Sequence, residues 1–318
     1  MMMRDMKNKL SIAVVTSNRC QVLDECLESL FKSTYPFHEV MVIDNASTDG
    51  TATMLRDKYP SVRHIVNSRN FGLTYCHVMA MKIFSGDCIF LLDDDNELRW
   101  RDTLDRLVSH LYSSAHIGIV VPTIGTDQIG FSMEGCRTSM WTGKTVPSSE
   151  VCYPLLCFWK DTKRVPNSTL IKRECIESCG YLDDRYFSTL ADEDYVMEMN
   201  KKGMVAHVVL GAKIYHKVSH KASWVRIAGL TNPVRAYICV RNRSILIIKH
   251  AEWYQLLVYL AIWFPYHVAT YGAIVLLGVR KWEFIRAFAL GVLDTLAYLL
   301  FRKMPGLGHI LQLMGDTK

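Results

Sequence analysis

Over the first 121 residues, short apolar runs alternate with stretches whose apolar positions recur at helical spacing. Residues 11–16, SIAVVT, read as a strand. Val22, Leu23, Cys26, Leu27, Leu30 and Phe31 then share one helical face, and Tyr35-Pro36 ends that helix. Val40–Ile43 is a second apolar run. The turn NASTDG at 45–50 follows it, with Ser47, Thr48 or Asp49 as candidate N-caps of the next helix. His64–Val66 predicts a third strand, and Asn70-Phe71-Gly72 leads into a helix through Met81. CIFLL at 88–92 is a fourth strand running straight into Asp93-Asp94-Asp95. Leu104, Leu107, Val108 and Leu111 mark a helix, and Ile117–Val121 a further strand. These strands are too apolar to have a wet face. The alternation predicts an α/β fold with a mostly parallel, Rossmann-like sheet covered by helices on both sides. Ligands of such sheets bind beyond the carboxyl ends of the strands. Thr16–Arg19, Asp44-Asn45 and Asp93–Asp95 all stand there.

The pattern then changes. Residues 122–165 read as irregular, and 167–176 as strand then helix. Asp183–Asp194 reads as an acidic loop opening a helix from Tyr195 to Lys202, which Gly203 ends. Val205–Val209 and Ala212–Tyr215 look like strands closed by His216. After Arg243 the chain turns apolar. Trp253–Val279 contains no Asp, Glu, Lys or Arg, and a span needs roughly 20 apolar residues. Trp282–Phe301 is also apolar, but Glu283, Arg286 and Asp294 fall in one narrow helical sector. That pattern suits a helix lying in an interface. Between the two, Arg280-Lys281 is a short basic turn. The pair is expected to form one re-entrant or monotopic hairpin rather than two clean spans.

Composition sharpens this picture. The chain has 318 residues, half of them hydrophobic, with 37 Lys and Arg against 31 Asp and Glu, a formal charge of +6. Disordered, collagen-like and small disulfide-scaffold classes are thereby excluded. The charge is too mild to argue for nucleic acid. Its basic residues flank the apolar segments, at 235–249, 280–281 and 302–303, which points to anionic lipid. The ten cysteines contain no CxxC and no zinc-like spacing with histidine. The polar opening MMMRDMKNKL does not read as a signal peptide, so the cysteines are expected to be reduced.

The candidate chemistry is acidic. Three ionised carboxylates in a row favour a cation that neutralises them. In an extended segment Asp93 and Asp95 point the same way, and they would share one hard divalent ion with phosphate oxygens. Asp192-Glu193-Asp194 is a second cluster, suited to capping a helix or to taking a proton from an acceptor hydroxyl. His216 is a candidate further metal ligand.

Taken in order, the motifs resemble the inverting family 2 glycosyltransferases of GT-A fold, over residues 10–245. VVTSNR at 14–19 is similar to the family's TYNR opening, and VMVIDNASTDGT at 40–51 to its VVDNxSTDGT. RNFG at 69–72 looks like its NxG loop, and FLLDDDNE at 90–97 its DxD segment. GYLDDRYFSTLADEDYVMEMNKKG at 180–203 resembles its FDExFFxxxEDxDLxxRxxxxG stretch. YHKVSH at 215–220 and VRNRSILIIKH at 240–250 fit the histidine and RN segments of the rhamnosyltransferase-like subgroup.

The resemblance implies that Thr16, Asp44 and Asn45 contact the base and ribose of a nucleoside diphosphate sugar. Asn18, Arg19, Asn70, Gly72, Asp93 and Asp94 belong to the same donor set. Asp93 and Asp95 would hold Mg²⁺ or Mn²⁺, with His216 as a further ligand. Asp192 falls on the general base and Asp194 on the second acid of that motif. Ala191 departs from the family's Glu, Ser17 from its Tyr, Asn45 from its Asp, and Thr74-Tyr75-Cys76 from a small-residue stretch.

The implied organisation is a transferase domain at 1–245, with a nucleotide-sugar half to about 121 and an acceptor half beyond it. A membrane-associated helical region follows at 246–318. The implied activity is transfer of a hexosyl or deoxyhexosyl group to a lipid-linked glycan or membrane lipid, at the cytoplasmic face of the cell membrane. Two other classes stand beside it. A nucleotidyltransferase would need a Gly-rich basic loop after the first strand, where SNRCQVLDE stands. A non-catalytic glycan-binding protein has only Ala191 in its favour.

Overall fold

The computed structural model describes residues 8–126, 130–132, 136–147, 151–152, 158–159, 168–217, 229–303 and 308–315. The opening residues 1–7, Cys157, His220 and much of the segment expected to be irregular lie outside these. The chain divides into two compact units. One comprises residues 1–136, 147–182 and 195–218, the other 137–146, 183–194 and 219–318. Sequence reading ends the transferase domain at 245, with an inner division at about 121. The structure instead groups Asp183–Asp194 and the stretch before 245 with the apolar helices.

The first unit is built on a nine-stranded sheet. β1 (Leu10–Thr16), β2 (Glu39–Asp44), β3 (Arg63–Val66) and β4 (Cys88–Asp93) run parallel in the order β3-β2-β1-β4. Helices α1 (Cys20–Phe31), α2 (Thr51–Lys58) and α3 (Leu73–Ile83) connect them. After β4 come the two-residue β5 (Asn96–Glu97), α4 (Thr103–Leu111), β6 (Ile117–Thr126) and β7 (Gly130–Ser132). Two short ribbons follow, β8 (Cys136–Thr138) with β9 (Thr145–Pro147), most of which belongs to the second unit, and β10 (Val151–Cys152) with β11 (Phe158–Trp159). β12 (Ser168–Lys172) then slots between β4 and β6, antiparallel to both, and leads into α5 (Arg173–Cys179). α6 spans Ala191–Lys201, and β13 (Val205–His216) runs parallel to β6. The sheet is therefore parallel on its first side and mixed beyond β4. Its apolar runs are buried as their composition demands: Leu23, Leu27, Leu30, Leu104, Leu107 and Leu111 pack on Ile12, Val14, Phe90 and Leu92.

Three local readings change. Gly50, in the left-handed region at φ 93°, caps α2. Asp49 instead accepts from the Cys20 amide at 2.8 Å and the Thr51 hydroxyl at 2.6 Å. α6 begins at Ala191 rather than Tyr195, so Asp192, Glu193 and Asp194 form its first turn, where the helix dipole favours carboxylates. The two strands expected at 205–215 are one, with an irregular register between Val209 and Lys213.

The second unit is helical. α7 (Pro233–His250) is capped by the Asn232 side chain, which accepts from the Arg235 amide. α8 is the continuous helix Trp253–Val279, α9 is Trp282–Phe301 and α10 is Gly308–Gly315. Pro265 does not break α8. A wider π-turn at Tyr259–Trp263 stands ahead of it and removes the carbonyl clash a proline otherwise makes. A second π-turn covers Ile274–Val279. These wider turns let Tyr259, His267 and Val275 stay on one buried face. α9 packs on α7 through Phe284 and Ala287 against Val234 and Ile238. Gly291 makes the approach possible, because a Cβ there would lie 2.1 Å from the Tyr237 carbonyl oxygen. α8 and α9 are each long and apolar enough to cross a membrane by length and composition.

Candidate active site

The ends of β1, β2 and β4 finish level with one another: Thr16 registers with Asp44, and Val15 with Asp93. Side chains just past these ends therefore meet. The Thr16 hydroxyl donates to Asp94 Oδ2 at 2.7 Å. Arg19 donates from Nη1 to Asp94 Oδ1 at 2.7 Å and from Nη2 to Asp95 Oδ2 at 3.0 Å. Its planar fork thus spans two carboxylates. The alternation expected to pair Asp93 with Asp95 stops at the strand end, because Asp94 and Asp95 form a turn. Asp93 stands beside the partly buried His77, whose Nε2 is 3.8 Å away.

The turn also explains how His216 arrives. β5 follows Asp95 directly and pairs antiparallel with the end of β13, matching Asn96 with His216. His216 Nε2 then lies 3.3 Å from Asp95 Oδ1. The Lys217 amide donates to the Asp95 carbonyl at 2.9 Å, and its ammonium pairs with Glu25. Burial pushes the Asp94 carboxyl up to about 6, against the pull of Thr16 and Arg19. Burial also raises Asp95, but the nearby His216 imidazole and Arg19 guanidinium leave it below its ordinary value.

The other donor-set residues form a second, adjoining network. Asn45 Nδ2 donates to Asn70 Oδ1 at 2.7 Å, and that oxygen also accepts the Gly72 amide at 2.9 Å. Asn45 Oδ1 accepts the Phe71 amide at 3.0 Å. Asp44 is buried, accepting from the Ser47 amide at 2.8 Å with His64 Nε2 at 3.1 Å. Asn18 holds the turn together: its Oδ1 accepts the Thr48 amide at 2.7 Å.

Whether these side chains suit a divalent cation is answered at Asp95. Its Oδ1 is buried and, among the described residues, receives no hydrogen bond of normal geometry, while an imidazole nitrogen faces it. A carboxylate oxygen facing an imidazole nitrogen offers two donors of the kind Mn²⁺ or Mg²⁺ accepts.

In the second unit, three consecutive carboxylates have three different surroundings. Glu193 is fully buried and accepts the Thr138 amide at 2.7 Å and its hydroxyl at 2.8 Å. Asp194 is buried against Lys249 Nζ at 2.7 Å and His250 Nε2 at 2.6 Å. Burial raises its carboxyl, but those two partners leave it below its ordinary value. Asp192, just ahead of them in the same turn, is half-buried. Both neighbours thus anchor the turn that carries it.

The loop before this turn is strained. Phe187 has φ 69° and ψ −51°, and the Ser188 amide donates back to the Tyr186 carbonyl at 2.9 Å, a γ-turn of the unfavourable hand. Leu190 also has φ 69°. Asn242 holds this loop from α7: Nδ2 donates to the Tyr186 carbonyl at 2.8 Å and the Thr189 carbonyl at 3.0 Å. Arg241, fully buried, donates to the Arg185 carbonyl at 3.1 Å and to Asn242 Oδ1 at 2.7 Å. Sequence reasoning singled out neither this service of the Arg-Asn pair nor His77 and Lys217. A polar pair inside an otherwise apolar helical face was the available signal.

Residues 11–161 match the family model for Glycosyl transferase family 2. They form a family 2 glycosyltransferase domain. The glycosyltransferase YwdF of Bacillus subtilis (strain 168), itself uncharacterized, is 25% identical over 214 residues, covering 65% of this chain and 74% of that protein. Two solved structures share the fold. The mannosyltransferase PcManGT from Pyrobaculum calidifontis, in complex with GDP-Man and Mn²⁺, aligns over 94% of this chain and 89% of its own, with a TM-score of 0.56 and 16% identity. GalNAc-T7, with UDP, GalNAc and Mn²⁺, aligns over 95% of this chain and 59% of its own, with a TM-score of 0.65 and 17% identity. The mixed sheet with its parallel first half is accordingly a GT-A glycosyltransferase sheet.

Proposed function

We propose that this family 2 transferase moves a sugar, with inversion, from a nucleoside diphosphate sugar to a hydroxyl of a lipid-linked glycan or membrane lipid. The observation that carries the reading is the linked set Thr16, Asp94, Arg19, Asp95 and His216 at the carboxyl ends of parallel strands. Asp44, Asn45, Asn70 and Gly72 bind the base and ribose beside it. Asp95 and His216, with Asp93, hold Mg²⁺ or Mn²⁺. Bound there, the cation supplies Lewis-acid stabilisation to the departing diphosphate. Arg19 adds a fixed positive charge for phosphate oxygens.

Asp192 takes the proton of the acceptor hydroxyl, whose oxygen bonds to the anomeric carbon. The bond from that carbon to the diphosphate breaks, and its electron pair leaves with the diphosphate. One displacement inverts the centre and needs no covalent enzyme intermediate. Asp194 positions the turn.

The membrane setting is supported by the outer faces of α8 and α9, where Trp253 is 71% exposed, Leu277 68% and Trp282 74%. α9 also packs on α7, which carries Arg235, Arg241 and Arg243. A helix so partnered lies in the cytoplasmic membrane surface rather than crossing it.

The test is release of nucleoside diphosphate from a panel of nucleotide sugars, with Mn²⁺ and with EDTA. Asp192→Asn should abolish transfer and leave donor binding intact. Full activity in EDTA, or in Asp95→Ala, removes the metal role. An inactive Asp194→Asn beside an active Asp192→Asn moves the base.

A further inference from the structure

The second unit contains a pair of cations that, among the described residues, no carboxylate offsets. The turn Ser139–Lys144 closes on itself through the Gly143 amide to the Ser139 carbonyl at 2.8 Å. It is docked on α8, where His267 Nε2 donates to the Thr142 carbonyl at 2.8 Å. Gly143, at φ +67°, fits against Arg243 and Tyr259 so closely that a Cβ would lie 2.8 Å from Arg243 Cδ. This docking sets Lys144 Nζ 4.6 Å from the centre of the Trp263 ring and 5.1 Å from that of Tyr266. The Arg243 guanidinium lies 5.7 Å from the Tyr271 ring centre. The same turn ties both cations to this stretch of α8: Thr142, two residues before Lys144, accepts from His267, and Gly143, next to Lys144, lies against Arg243. Their neighbours there are rings and a carbonyl, and neither forms an ion pair among the described residues. Trp141 and Tyr254 pack together beside them with both rings exposed.

Aromatic rings with polar tips concentrate at the level of lipid headgroups. Two uncompensated cations among them lack only an anion, and a guanidinium fork matches phosphate. We propose that Lys144 and Arg243 bind the phosphate of a membrane lipid. This rests on the reading that α8 and α9 lie in a membrane surface, and it narrows the acceptor-side ligand to a lipid bearing phosphate.

The experiment is flotation of the full chain with vesicles of phosphatidylcholine, alone or doped with phosphatidic acid. Wild type should prefer the doped vesicles. Lys144→Gln, at an exposed side chain, should lower that partition about fivefold, and the pair with Arg243→Gln about thirtyfold. Binding to phosphatidylcholine alone should not change. The charge-matched pair Arg280→Gln with Lys281→Gln should lose less. Equal loss from that control pair would make the preference diffuse and overturn the site. So would its abolition by inorganic phosphate, which would identify a free-phosphate site. A wild type that floats with both vesicles equally overturns the site and leaves the membrane reading standing. A wild type that floats with neither removes both.

Discussion

Replacing Asn242 with alanine tests whether the strained loop ahead of α6 sets the position of Asp192. The side chain is buried and makes short hydrogen bonds to the Tyr186 and Thr189 carbonyls and from Arg241. Removing them leaves buried polar groups with fewer partners, at about 1 kcal/mol for each bond, or about 3 kcal/mol in all. The conformations of Phe187 and Leu190 store about 1–3 kcal/mol each. The two sums are comparable, so the loop should relax once Asn242 is gone. A shift of about 1 Å in a reacting group lowers turnover about 100-fold. The expected result is kcat down about 100-fold with the donor KM unchanged, since donor-set residues are not touched. Asn242→Asp keeps the shape but turns an oxygen toward two carbonyls, and should be at least as damaging. The assay is steady-state release of nucleoside diphosphate, normalised to folded enzyme from an unfolding curve. A variant with normal kcat per folded molecule, merely less stable, refutes the positioning argument and leaves Asn242 a packing residue.

Three further outcomes follow from the same geometry. Asp95→Asn and His216→Ala should each weaken Mn²⁺ binding about tenfold or more in titration calorimetry. An unchanged affinity takes that residue out of the metal set. Asp194 is held below its unfolded value, so its contribution to stability is present above the unfolded pKa and is lost as pH falls through the folded one. Denaturant melts of Asp194→Asn across a pH series should show stability about 3 kcal/mol lower at neutral pH and a flatter acid limb; parallel wild-type and variant curves would contradict the assignment. Gly291→Ala puts a Cβ against the Tyr237 carbonyl and should lower the unfolding temperature in detergent, whereas an unaltered melt would mean α7 and α9 do not meet so closely.

The parallel half of the sheet was readable because each strand is an unbroken apolar run ended by polar residues, as at Thr16, Asp44 and Asp93. Those ends also marked the candidate donor site. The insertion of β12 between β4 and β6 was not readable, since pairing order depends on partners far away in the chain. The start of α6 was missed because Asp192, Glu193 and Asp194 look like a loop by composition. They are a helical first turn because Thr138, Lys249 and His250 receive two of the three carboxylates. Arg19 spanning Asp94 and Asp95 depends on a turn that simple strand alternation does not foresee. The division into units escaped for a similar reason: contacts between distant stretches, such as that of Gly291 with Tyr237, join α7 to the apolar helices.

That division has a practical meaning. The chain passes between its two units at 136, 146, 182, 194 and 218. Asp192 shares a unit with α8 and α9 although some sixty residues separate them in sequence. Cutting the chain before Trp253 would therefore not release a finished soluble enzyme. It would strip part of the core from the unit that carries Asp192, the proposed proton acceptor. A water-soluble form has to be sought by recolouring the outward apolar faces with polar residues, keeping the helices. By the same token, a mutation that loosens those helices should appear first as lost turnover, before any loss of the vesicle binding proposed above.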